Sequence, residues 1–180
     1  MRINLPNGLT IARILMVPLM VIAFYLPFRG TNLIAAAMFT IAAITDWLDG
    51  YLARRYQQTS DFGAFLDPVA DKLAVTVALF LIVQADKTAL MAVTAAIIVG
   101  REITISALRE WMAAIGERTK VGVAWLGKVK TVVQMIAIII LLMQHRYVGK
   151  PLYWFGKALL IAAAALTIWS AVVYLRAAWP

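Results

Sequence analysis

Six apolar stretches, separated by short polar connections, take up almost the whole of this 180-residue chain. They cover residues 14–27, 33–54, 62–84, 89–108, 126–144 and 154–175. A helix needs roughly 20 apolar residues to cross the hydrocarbon core of a bilayer, and five of the stretches reach or approach that length. The first is shorter, but Leu9 and Ile11 can extend it. The pattern predicts an all-α, polytopic membrane protein. It has six transmembrane helices, a short N-terminal cytoplasmic segment and one integral-membrane domain over residues 1–180. Composition agrees: 63% of residues are hydrophobic and only 14% charged, with a mean hydropathy of +0.85, against about 25% charged in a soluble domain.

The connections fall at residues 28–32, 55–61, 85–88, 109–125 and 145–153. Pro6 and Gly8 predict a broken entry segment over residues 4–10 ahead of the first span. Of the 17 Lys and Arg residues, twelve fall on the side that holds the N-terminus and five on the other. The positive-inside rule therefore places both termini in the cytoplasm. Zero Cys and one His exclude disulfides, thiolate zinc sites and multi-histidine metal centres. The net charge of +8 in so apolar a chain points to anionic headgroups or phosphates rather than to nucleic acid.

Chemistry must then rest on carboxylates, Lys and Arg. Five of the nine acidic residues lie between Asp46 and Asp71. Asp46 and Asp49 are three apart and Asp67 and Asp71 four apart, so each pair shares a helical face. A reversal over residues 55–61 brings the pairs together at the cytoplasmic end of spans two and three. Four ionised carboxylates repel one another, and two divalent cations balance them. Oxygen-only ligands suit Mg²⁺ or Mn²⁺, which can steady both oxygens of a phosphoryl displacement. The alternative is a set of helix-end salt bridges with Arg54, Arg55 and Lys72. Gly50 and Gly63 have two readings as well: close approach of a ligand to bare backbone, or helix-end geometry.

The pattern Asp46-x2-Asp49-Gly50-x2-Ala53-Arg54-x8-Gly63-x3-Asp67-x3-Asp71 resembles the full signature of the CDP-alcohol phosphotransferase family, with no position departing from it. The resemblance implies a six-helix membrane enzyme, a homodimer in the bacterial inner membrane with its site facing the cytoplasm. It implies attack of an acceptor hydroxyl on the lipid-bearing phosphorus of CDP-diacylglycerol, with release of CMP. Asp46, Asp49, Asp67 and Asp71 then hold two metal ions, and Asp71 is also the base. Gly50 and Ala53 leave room for the nucleotide, which Arg54 and Gly63 border. Asn7 and Thr10, in the stretch Pro6-Asn7-x2-Thr10-x2-Arg13, help to close that site.

Arg101 and Arg109 are two turns apart on the inner half of span four, and Lys128 and Lys130 open span five. A phosphorylated acceptor needs such a cluster, because Arg holds phosphate bidentately. The alternatives are positive-inside anchoring, or pairing with Glu102 and Glu110. With the resemblance, the cluster favours sn-glycerol 3-phosphate as acceptor, giving phosphatidylglycerophosphate. Inositol phosphate, serine and phosphatidylglycerol are acceptors for the same chemistry. A divalent-cation transporter is the competing function from another class. His145 and the aromatic residues Trp125, Trp154, Trp169, Tyr147, Tyr153 and Tyr174 are expected in solvent or at the membrane interfaces.

Overall fold

The computed structural model describes residues 5–56, 61–114 and 125–178. Of residues 5–7, 47, 49–56, 61–65, 67, 68, 109, 113, 125–128, 145 and 173–178 it describes the backbone only. The described residues are helical apart from two short connections: α1 (Leu5–Tyr25), α2 (Thr31–Tyr56), α3 (Asp61–Ala85), α4 (Ala89–Ala114) and α5 (Trp125–Ala178). The backbone of α5 leaves helical geometry at Gln144 and Gly149, both with positive φ, so it is two helices joined by a sharp bend. The distal half folds back on the proximal half: a Cβ added to Gly156 would lie 2.8 Å from Ile140 Cγ2. In a straight helix residues sixteen apart are about 24 Å from each other.

Three helices carry apolar windows long enough to cross a membrane, at Gly8–Tyr25, Ala89–Met112 and Arg146–Val172, and Thr31–Asp46 and Val129–Gln144 are shorter apolar stretches. The chain is a multi-pass, all-helical membrane protein. Large apolar side chains such as Leu15, Ile22, Phe80, Leu90, Val132 and Ile168 face outward. On a soluble protein so much exposed apolar surface would be a liability; on this one it is the face that meets lipid. Inside, small residues let the helices approach closely: Ala35, Ala78, Ala137 and Ala163 are fully buried among Leu79, Ile82, Ile98, Ile138 and Leu141. Thr40, Thr94, Thr104 and Thr167 donate to carbonyls one turn back in their own helices. Each hydroxyl is thereby satisfied without water.

Two expectations are corrected. Residues 4–10 were expected as a broken entry segment, but α1 runs helically from Leu5 through Pro6 and Gly8. Pro6 falls in the first turn, where its missing N–H has no intrahelical acceptor to lose. The connection expected from residue 109 begins later, because α4 continues to Ala114. Residues 115–124, with Arg118 and Lys120, lie outside the described residues.

Alternating helix directions collect the polar side chains at two ends. At the end opposite the carboxylate motif, Thr88 caps α4: its Oγ1 accepts from Met91 N at 3.4 Å and donates to Asp86 Oδ1 at 2.9 Å. Asp86 also accepts from Tyr153 Oη at 3.1 Å and pairs with Lys157, which lies over the Trp154 ring. Tyr153, expected only as an interface anchor, therefore also ties the distal half of α5 to the α3–α4 connection. Tyr25 donates to Gln84 at the same end, joining α1 to α3. Burial alone would raise the Asp86 carboxyl. The hydrogen bonds from Lys157, Thr88 and Tyr153, with the Lys157 charge, outweigh it and hold the group below its ordinary value.

Candidate functional site

The other polar end is built around α1, α2 and α3. Arg13 stands midway along α1 inside an apolar run, and its side chain is only 1% exposed. Its Nη1 donates to Asp46 Oδ1 at 2.6 Å and to Asp71 Oδ1 at 2.9 Å. One guanidinium nitrogen thus joins carboxylates from two helices, and both carboxylates stay about two-fifths exposed. Thr10, one turn before Arg13 on α1, is buried. The separation in sequence explains why Arg13 was not foreseen as their partner: it is 33 residues from Asp46 and 58 from Asp71. A single Arg inside an apolar stretch was the available signal.

Beside this pair lies a cavity of about 220 Å³. Asp46 and Asp71 form part of its wall, and Lys72, Thr76, Glu102, Thr131 and Gln134 supply further polar lining. Val75, Val99 and Met135 close it with apolar surface. Side chains from α2, α3, α4 and the proximal half of α5 therefore contribute to one chamber. Gln134 is buried, and its Oε1 has no hydrogen-bond partner among the described residues.

Of the basic residues expected at an acceptor site, Arg101 and Lys130 are described, and they meet at Glu102. Lys130 Nζ lies 3.4 Å and Arg101 Nη1 3.6 Å from the same atom, Glu102 Oε1. Arg101 is not on the cavity wall; its Nη2 donates to Ser170 Oγ at 2.9 Å, on the distal half of α5. Glu102 forms the wall in front of the two cations. Lys72, weighed in the sequence only as a salt-bridge partner of the motif carboxylates, lines the cavity; Thr76 and Ser170 have no part in the motif reading of the sequence, and the packing of α3, α4 and α5 brings them here.

The backbones at Asp49, Gly50, Ala53 and Arg54 continue α2, those at Gly63 and Asp67 belong to α3, and Asn7 lies in the first turn of α1. Arg109 is in α4 and Lys128 in α5. The side chains at these positions lie outside the described residues, as does that of His145. Among the described residues no three carboxylate or imidazole groups converge. The donors that do converge, Asp46 and Asp71, are hard oxygen ligands already holding a cationic group, which is the chemistry a divalent cation requires.

Residues 3–169 match the family described as CDP-alcohol phosphatidyltransferase. The chain belongs to the CDP-alcohol phosphatidyltransferase family. Enzymes of this family generally use divalent metal ions. Several curated relatives are similar over nearly their full lengths. A Sodalis glossinidius protein is 50% identical over 178 residues, covering 99% of this chain and 96% of the relative. One from Pseudomonas fluorescens is 50% identical over 184 residues, covering 98% and 91%. One from Haemophilus influenzae is 51% identical over 178 residues, covering 99% and 95%. Each of the three is named CDP-diacylglycerol–glycerol-3-phosphate 3-phosphatidyltransferase. In this family member the Asp46–Asp71 pair is the part of the eight-position signature whose side chains are described, and the chamber lies beside it.

Proposed function

We propose that this chain transfers the phosphatidyl group of CDP-diacylglycerol to sn-glycerol 3-phosphate, giving phosphatidylglycerophosphate and CMP. The observation that carries this reading is the convergence of Asp46 and Asp71 on a polar chamber whose wall includes Glu102, the carboxylate that Lys130 and Arg101 share. The names of the relatives support the choice of substrates.

In the proposed reaction the acceptor hydroxyl oxygen forms a bond to the phosphorus that carries diacylglycerol. The bond from that phosphorus to the bridging oxygen breaks, and the electron pair leaves with CMP. Asp71 accepts the hydroxyl proton, a role that typically contributes about 10²–10⁴-fold. Asp46, Asp49, Asp67 and Asp71 would hold two divalent ions, Mg²⁺ or Mn²⁺, whose charge would offset that of the phosphates when bound. Gly50, Ala53, Arg54 and Gly63 border the nucleotide, with Asn7 and Thr10 closing it from α1. Arg101, Arg109, Lys128 and Lys130 receive the acceptor phosphate.

The same reading takes residues 1–180 as one domain, assembled as a homodimer in the bacterial inner membrane with the Asp46–Asp71 end in the cytoplasm. The excess of basic residues at that end supports the orientation. The transporter alternative needs a polar path between the two ends. Among the described residues the core between them is apolar, built from Ala78, Leu79, Ile82, Ile98, Ile138 and Leu141.

The test is CMP release by the purified protein from CDP-diacylglycerol, with glycerol 3-phosphate, inositol phosphate, serine and phosphatidylglycerol offered in turn. Release with glycerol 3-phosphate alone is expected. Preference for another acceptor would overturn the assignment while leaving the chemistry intact.

A further inference from the structure

Glu102 is an anion in a place where the acceptor reading requires cations. Its Oε1 is shared by Lys130 Nζ at 3.4 Å and Arg101 Nη1 at 3.6 Å. Charge-assisted pairs close to about 2.7–2.9 Å, so both contacts are loose. The two cations are fixed. Lys130 is 2% exposed, and Arg101 is anchored on its other edge by Ser170, whose own O–H donates to the Thr167 carbonyl at 2.9 Å. That bond uses the Ser170 donor and leaves Oγ to accept from Arg101. Glu102 is the least buried of the three, one-third exposed, and it alone of them lines the cavity.

We infer that Glu102 tunes acceptor affinity: it is an internal anion seated on Arg101 and Lys130 that the phosphate of the acceptor displaces. This rests on the acceptor reading above. A phosphate brings up to two negative charges and three acceptor oxygens against one carboxylate oxygen held at long range, so it wins the two cations. An alcohol without phosphate has nothing to exchange for Glu102. The carboxylate then stays on the cavity wall and keeps the cations occupied. The same competition lowers affinity for any product that still carries the phosphate and so favours its release. The arrangement gives up some affinity for the acceptor and in return keeps the two buried cations paired while the site is empty.

The probe is inorganic phosphate, used as an inhibitor competing with glycerol 3-phosphate on the full-length protein in detergent–lipid micelles. In Glu102→Gln the competing charge is gone, and the Ki for phosphate should fall about two- to fivefold, the range expected for removing a partly exposed ion pair. The KM for glycerol 3-phosphate should fall with it. Glu102→Asp, which withdraws the carboxylate by one methylene, should shift both in the same direction and serves if the Gln variant does not fold. A Ki that is unchanged or higher in the folded variants, while Arg101→Ala and Lys130→Ala weaken phosphate, overturns this role for Glu102 and leaves the acceptor site standing. Phosphate inhibition that ignores Arg101→Ala and Lys130→Ala as well overturns the acceptor reading itself.

Discussion

Replacing Arg13 by Gln takes away the guanidinium that Asp46 and Asp71 share. The two bonds, at 2.6 and 2.9 Å, are charge-assisted, a kind worth roughly 1.5–3 kcal/mol each. The guanidinium is buried but both carboxylates are about two-fifths exposed. Solvent screening therefore favours the lower end of that range, and about 3 kcal/mol for the pair is the working figure. The loss also leaves two like charges facing each other across one chamber. Thermal unfolding of detergent-solubilised protein in EDTA should show a clearly lower Tm for Arg13→Gln. Saturating Mg²⁺ or Mn²⁺ should raise the Tm of the variant more than that of wild type, because a divalent ion can replace the missing positive charge. Arg13→Lys should lie between the two, keeping the charge but losing the planar fork. Equal Tm values for Arg13→Gln and wild type in EDTA would refute the claim that Arg13 holds the two carboxylates together.

Arg101→Ala and Lys130→Ala should each raise the KM for glycerol 3-phosphate about tenfold, the lower end for a charged hydrogen bond, and change the KM for CDP-diacylglycerol much less; steady-state kinetics on both substrates checks this. At the opposite end, Asp86→Asn should lower Tm at neutral pH. Because the Asp86 carboxyl is held below its ordinary 3.8 in the folded protein, its contribution is present above that value and lost as pH falls through the lowered one. The gap between Asp86→Asn and wild type should therefore close on acidification, and a gap unchanged at low pH would contradict the assignment. Gly156→Val should destabilise by about 1–3 kcal/mol through overpacking, since even a first Cβ meets Ile140 Cγ2 at 2.8 Å; chemical denaturation in mixed micelles measures it.

Hydrophobic patterning made the helices legible because each span has to satisfy its backbone internally and present apolar side chains to lipid. Helix ends were less so: a Pro in a first turn looks the same in sequence as a Pro that breaks a helix. The carboxylate motif was legible as local spacing on α2 and α3. Its partner Arg13 was not, because that contact depends on how α1 lies across both helices. Arg101 and Lys130 were expected at an acceptor site, and their convergence on Glu102 matches the ion-pair alternative weighed beside it. The two readings are compatible when Glu102 is the group a phosphate displaces. Ser170 carried no signal at all: its position depends on the fold-back at Gln144 and Gly149, which brings the distal half of α5 against α4.

The most direct measurement of the central claim is the stoichiometry of CMP to lipid product. The purified chain, given CDP-diacylglycerol, glycerol 3-phosphate and Mg²⁺ or Mn²⁺, should form one phosphatidylglycerophosphate, identified by its mass, for each CMP released. In Asp71→Asn both products should fall together by about 10²-fold or more. CMP released without the matching lipid, or Asp71→Asn turning over at the wild-type rate, would contradict phosphatidyl transfer at the Asp46–Asp71 site.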